Sequence, residues 1–226
     1  MSPHQNHDRN DIDPAPNRPM SVSEIKDSYA EYADRMHRFE WIDRVILGRY
    51  RRDRFGDVEG RVLDVACGTG TNFRYLPDAV DLVGIDVSPE MLANAEERLT
   101  ELDIDGSLRE MDAQELEFPD DSFDAVISAL STCTFPDPIA ALREMDRVCK
   151  PEGTIRLVEH GRSDVRPIAK YQEWRADAHY AQTGCRWTQN PREIASKAGL
   201  RVRDTDTGLF GTITTFEITP NRREER

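Results

Sequence analysis

The stretch Arg61-Val62-Leu63-Asp64-Val65-Ala66-Cys67-Gly68-Thr69-Gly70 decides the reading of this chain. Residues 61–65 are short, branched and apolar around one acid, as a strand buried on both faces must be, and they run straight into a glycine-bearing turn. Gly68 and Gly70 permit backbone angles and close approaches that a Cβ would block. A helix is expected over 71–76, so that unpaired backbone N–H groups at its start face the crevice. Strand, glycine turn and helix together imply a nucleotide-type binding site.

Working outward, residues 81–86 read as a second buried strand that again ends in an acid, Asp86, eighteen positions past Gly68. That is close to the spacing at which a carboxylate meets ribose hydroxyls. Ser88 and Pro89 then suit the N-cap and first position of a helix running to about Leu102. Further strands are expected over 107–111, 124–129, 154–158, 200–206 and 211–219, with helices over 137–148, 167–180 and 191–198. The loop 130–138 falls at the carboxyl edge of the sheet, where open α/β folds bind ligands. Lys150-Pro151-Glu152-Gly153 reads as a helix stop. If strand five persists to its end, Glu159 and His160 point to opposite faces, so only one can face a pocket. Seven strands are plausible, but periodicity does not order them.

Upstream of the first strand, Ser23 and Glu24 suit a helix start, and Ile25, Tyr29, Tyr32, Met36 and Phe39 recur at helical steps. A second helix is expected over 41–55, with Ile42, Val45, Ile46 and Tyr50 on one face. Arg49, Arg51, Arg52 and Arg54 form a dense basic cluster, most simply a solvated helix face, with an anion or a membrane surface as the alternative. Residues 1–20 are polar and proline-bearing and read as a disordered tail, and 221–226 read as a tail. Residues 21–220 read as one domain: cover helices over 21–58 and an α/β core over 59–220.

Net charge is −13, from 43 acids against 30 bases, of which only four are lysine. Such a surface repels polyanions and argues against a nucleic-acid substrate. Acid excess with arginine favoured over lysine also resembles proteins of salt-loving cytoplasms. Cys67, Cys133, Cys149 and Cys185 show neither C-x-x-C pairing nor metal-ligand spacing, so free thiols in a reducing cytoplasm and no bound metal are expected. No stretch is apolar for long enough to span a bilayer.

Two cofactor classes use a strand, glycine turn and helix, and spacing separates them. The dinucleotide pattern G-x-G-x-x-G would fall on Ala66, Gly68 and Thr71, which lacks two of its three glycines. The stretch instead resembles motif I of the class I S-adenosylmethionine (SAM) methyltransferases, D-x-G-x-G-x-G, as Asp64-x-Ala66-x-Gly68-x-Gly70 with alanine in the first glycine position. Gly84-Ile85-Asp86-Val87-Ser88-Pro89-Glu90-Met91-Leu92 resembles motif II of that family. The segment from Asp112 to Asp124 resembles its D-A-x-x-L-P-F-x-D-x-S-F-D string. The resemblance implies SAM as cofactor, held by Asp64, Ala66, Cys67, Gly68 and Gly70 at the turn. It implies ribose hydroxyls on Asp86 with Val87 and Met91 beside it. Asp112 and the backbone N–H of Ala113 would then meet the adenine edge, and Ala129 would close the wall. Tyr29 and Tyr32 resemble the tyrosine entry of members whose N-terminal helices close over SAM.

The family implies a Rossmann-like sheet of order 3-2-1-4-5-7-6. Val158-Glu159-His160, Trp174, and Thr183-Gly184-Cys185-Arg186-Trp187-Thr188 look like signatures shared by phosphatidylethanolamine N-methyltransferase-like and small-molecule thiol methyltransferase-like members. The expected reaction is methyl transfer to a small-molecule, thiol, amine or lipid-like acceptor. A quinone-type C-methyltransferase and a SAM-binding protein without turnover are the alternatives. An amine or thiol acceptor must lose a proton, which makes His160, then His179, the candidate bases. Cys133 and Cys185 are read as inert buried thiols.

Overall fold

The computed structural model describes residues 19–221, with side chains described outside 30–40. The expected tails therefore fall almost wholly outside the described residues, as do the side chains of Tyr32, Met36 and Phe39. Thirteen elements follow in order: α1 (Val22–Phe55), β1 (Arg61–Val65), a 3₁₀ turn (Phe73–Tyr75), β2 (Asp81–Asp86), α2 (Pro89–Leu102), β3 (Gly106–Glu110), β4 (Phe123–Ala129), α3 (Pro138–Val148), β5 (Cys149–His160), α4 (Arg166–Thr183), α5 (Pro191–Ala198), β6 (Arg201–Gly208) and β7 (Ile213–Thr219).

The strands form one sheet of order β3-β2-β1-β4-β5-β7-β6, as the family resemblance implied. β1 pairs in parallel with β2 on one side and β4 on the other, so the order reverses at β1. Helical connections then leave to opposite faces and open a crevice at the carboxyl ends of β1 and β4. Alternation along β1 assigns Val62 to one apolar layer, with Phe55, Phe73 and Leu82, and Leu63 and Val65 to the other, with Phe123, Leu142 and Ile155. β7 runs antiparallel between β5 and β6 and closes that edge.

Local chemistry sets where the helices begin. Ser21 Oγ accepts from the Glu24 N–H at 3.3 Å while Glu24 accepts from the Ser21 N–H at 2.8 Å, a reciprocal capping box for α1. Ser88 accepts from Met91 N–H ahead of Pro89 to start α2. Asp137 Oδ1 accepts from the Ile139 and Ala140 N–H groups, both at 3.0 Å, to start α3.

Four expectations need correction. The two N-terminal helices are one continuous helix of 34 residues. Its packed face is Leu47, Tyr50, Arg51 and Phe55, whereas Ile42, Val45 and Ile46 remain 40%, 75% and 42% exposed, with Ile42 and Ile46 overhanging a cavity. The arginine cluster is not a uniform patch: buried Arg51 pairs with Asp43, and Arg54 pairs with Asp204 at 2.7 Å. The helix expected over 71–76 shrinks to the single 3₁₀ turn. Asn72 commits its side-chain amide to Asp64, and Pro77 lacks the N–H that another turn would need. Strand five begins earlier than expected, at Cys149, with a register shift across 150–153.

Candidate functional site

The crevice holds a cavity of about 590 Å³, floored by the β1 turn and the carboxyl ends of β2, β4 and β5. α1 roofs it with Val22, Ile25, Tyr29, Ile42, Ile46 and Leu47. Alternate residues of the turn adopt left-handed backbone, with φ of 55° at Ala66, 55° at Gly68 and 72° at Gly70. Alternation of this kind turns successive N–H groups toward one side. Ala66 holds the left-handed angle despite its Cβ, at a cost of about 1 kcal/mol. The two glycines have different reasons. A Cβ on Gly68 would meet no atom within 4 Å, so that space belongs to the cavity, whereas one on Gly70 would lie 2.6 Å from the Phe73 ring.

Asp86 is fixed by main-chain donors: its Oδ2 accepts from Gly68 N–H at 2.9 Å and its Oδ1 from Ser88 N–H at 3.0 Å. Burial pushes its carboxyl up, while the Ser88, Gly68 and Val87 backbone donors oppose the shift. Each oxygen keeps a further lone pair on the cavity side of this arrangement. Asp112 Oδ1 accepts from the Gln114 N–H at 2.9 Å and from its amide at 3.0 Å, and Gln114 Oε1 accepts from Asp137 N–H at 2.7 Å. The Asp112-Ala113 edge is thus tied to the start of α3.

Asp64 lies behind the cavity rather than in it. Both its oxygens accept from Asn72 Nδ2, at 3.0 and 3.1 Å, and complete burial pushes its carboxyl up to about 7 against the pull of Asn72 and Arg51. Asn72 does line the cavity, and its buried Oδ1 has no hydrogen-bond partner among the described residues. An orphaned acceptor beside a glycine turn suits a ligand ammonium group.

On the far side, β4 ends at Ala129 and the chain turns through Leu130, with φ of 57°. Glu159 is fully buried and turned away from the cavity. Its Oε1 accepts from Ser131 N–H and Oγ at 3.3 and 3.2 Å and from Thr132 N–H at 3.4 Å, which pins the loop, and burial pushes its carboxyl up. His160 points the other way and lines the cavity, as the alternation required. Its Nε2 sits 3.1 Å from Cys133 Sγ and 3.3 Å from Cys185 Sγ. Burial alone would lower His160, but Cys185 and Glu159 raise it on balance. The Cys133 and Cys185 sulfurs lie in contact at 3.4 Å, and this contact holds the Cys185 thiol down and pushes Cys133 up.

Of the residues singled out from the sequence, Tyr29, Ala66, Cys67, Gly68, Asp86, Val87, Met91, Asp112, Ala113, Ala129 and His160 converge on this cavity. Asp64 and Gly70 support its turn from behind. His179 stands outside it, stacked on Trp187 with centroids 4.2 Å apart. Ser131 and Phe135 enter the wall from the 130–138 loop expected at the ligand-binding edge, whereas sequence reasoning missed Asn72, Leu209 and Ile213. Of these three only Asn72 carried a signal, as a polar residue two positions past the last motif glycine. No helix among the described residues is long and apolar enough to cross a membrane.

Residues 63–157 match the family model of a methyltransferase domain. The chain is 40% identical over 116 residues to phosphatidylethanolamine N-methyltransferase of Cereibacter sphaeroides, covering 50% of this chain and 57% of that protein. It is 41% identical over 116 residues to demethylmenaquinone methyltransferase of Renibacterium salmoninarum, covering 49% and 47%. It thus spans about half the length of the curated relatives it matches. Its fold is similar to a chain of the complex between the Haloferax volcanii Trm112 methyltransferase activator and its methyltransferase, with a TM-score of 0.69, 24% identity, and 91% and 100% coverage. With its motif series on the turns of a 3-2-1-4-5-7-6 sheet and a methyltransferase-domain match running from β1 to β5, the chain has the class I methyltransferase fold, and residues 63–157 are similar to that family.

Proposed function

We propose that this chain transfers a methyl group from SAM to a small-molecule or lipid-like acceptor that enters the cavity beneath α1. The observation that carries the reading is the two-sided character of the cavity. One side offers Asp86, Asp112, Asn72 and the glycine turn, and the other is walled by Ile42, Ile46, Phe135, Leu209 and Ile213. The polar side fits the cofactor. Asp86 has lone pairs for ribose hydroxyls, Asp112 with Ala113 N–H suits the adenine edge, and Gly68 leaves open the space that a Cβ would fill. SAM, when bound, supplies an electrophilic methyl group on a sulfonium.

The protein's part is chiefly positioning and exclusion of water, since in-line displacement needs an acceptor atom held about 3 Å from the methyl carbon in a dry site. The apolar wall and the α1 roof do both. His160 lines the acceptor side with its Nε2 between the Cys133 and Cys185 sulfurs and is the candidate base for an acceptor that must lose a proton. Four free thiols suit the reducing interior of a cell.

Incubation with methyl-labelled SAM and a panel of phosphatidylethanolamine, demethylmenaquinone and alkyl thiols tests the reading. Label transfer to one of them supports it. Tight SAM binding with no transfer to any of these favours the binding protein without turnover. The quinone acceptor is the second reading, favoured by the 41% identity to a demethylmenaquinone enzyme and by the apolar wall.

A further inference from the structure

We propose that Cys133, His160 and Cys185 form a three-ligand site for a thiophilic divalent metal, zinc in the first instance, at the wall of the cavity. Their ligand atoms all lie within 4.8 Å of one another, and this is the group of metal-competent side chains that the described residues bring together. The three separations are 3.1 Å and 3.3 Å from His160 Nε2 to the two sulfurs and 3.4 Å between the sulfurs. A tetrahedral zinc with bonds of about 2.3 Å to sulfur and about 2.0 Å to nitrogen spans edges of about 3.8 Å between sulfurs and about 3.5 Å from sulfur to nitrogen. The triangle therefore needs to open by only about 0.4 Å or less per edge to admit the ion.

Two further features favour a metal over three idle side chains. Cys133 follows directly on the segment that Glu159 pins through Ser131 and Thr132, so the loop carrying one ligand is held by the neighbour of another. Charge also balances, because a divalent cation with two thiolates and a neutral imidazole leaves no net charge in a buried place. A disulfide between the same cysteines would require the sulfurs to close to about 2.05 Å and would leave the imidazole without a role.

The ligands come from the loop after β4, the end of β5 and the loop after α4, so one ion would clip the acceptor-side wall to the helical cover. Three protein ligands leave a fourth position for water, and of the three His160 is the one that lines the cavity. The inference stands apart from methyl transfer, since its readout needs neither SAM nor turnover.

The test is titration of the reduced, chelator-stripped chain with cobalt(II), followed by zinc(II). The expected result is one cobalt per chain with sulfur-to-cobalt charge-transfer absorption, displaced by zinc. Cys133→Ser and Cys185→Ser should each weaken binding by at least about 100-fold, more than loss of an outer-shell partner costs. Cys149→Ser, whose thiol is bonded to the Thr154 carbonyl on β5, should leave it unchanged. His160→Cys should keep one cobalt with stronger sulfur absorption, which guards against loss of binding through misfolding. Absence of cobalt binding by the reduced wild type, absence of the sulfur band, or binding that survives Cys133→Ser and Cys185→Ser together would each overturn the proposal.

Discussion

Replacing Asp86 with alanine tests the cofactor side of the cavity at its best-defined point. The carboxylate is anchored by Gly68 and Ser88 N–H groups at 2.9 and 3.0 Å, so its orientation is set before any ligand arrives. The remaining lone pairs can accept two ribose hydroxyls, and hydrogen bonds to a charged group contribute about 1.5–3 kcal/mol each. Water replaces part of that in the truncated protein, which leaves a loss of at least about 3 kcal/mol, or about 100-fold in Kd. Alanine also strips the two N–H groups of their acceptor, so a fall in stability of about 1–3 kcal/mol is expected as well. Calorimetric titration with SAM, run well below the variant's Tm, separates the two effects. A variant that loses stability but binds SAM within about threefold of wild type would refute the reasoning and reduce Asp86 to a cap on the turn.

The Asp64 carboxyl, raised from 3.8 to about 7, makes the folded chain hold a proton that the unfolded chain releases. Its favourable contribution is complete below about pH 4 and is lost as pH rises through about 7, at most about 4 kcal/mol. Denaturation at several pH values should show that slope in wild type and not in Asp64→Asn, and equal slopes would contradict it. Gly70→Ala forces a Cβ to 2.6 Å from the Phe73 ring at a φ of 72°, and a loss of about 2 kcal/mol or more is expected in urea denaturation. Arg147 donates to the Phe118 and Leu116 carbonyls at 2.8 and 2.7 Å and so holds the segment beyond Asp112. Arg147→Ala should weaken SAM binding by about tenfold while leaving the Asp86 side intact, and an unchanged Kd would count against that coupling.

Much of the architecture was readable because it is written in short-range signals. Arg61 to Val65, the two glycines and the second acid each demand a particular backbone, and the sheet order followed from the family those motifs resemble. The exposed face of α1 was not readable. Ile42 and Ile46 recur at the same helical step whether a stripe packs into a core or overhangs a cavity, and only the tertiary arrangement decides. The short 3₁₀ turn was hidden for a related reason, since Asn72 chooses Asp64 over helix only after the strand is in place. Cys133, His160 and Cys185 lie 27, 25 and 52 positions apart from one another, so no spacing rule could join them. The register of β5 against β4 and the return of the chain after α4 bring them within hydrogen-bonding reach.

The central claim is that the cavity between the glycine turn and α1 is a SAM site. Its most direct test is calorimetric titration of the wild-type chain with SAM, its demethylated product and a nicotinamide dinucleotide, in low and in molar salt. The account predicts one site per chain with Kd of about micromolar for SAM and its product, and no measurable binding of the dinucleotide. Absence of SAM binding under both salt conditions, or tighter binding of the dinucleotide, would contradict it.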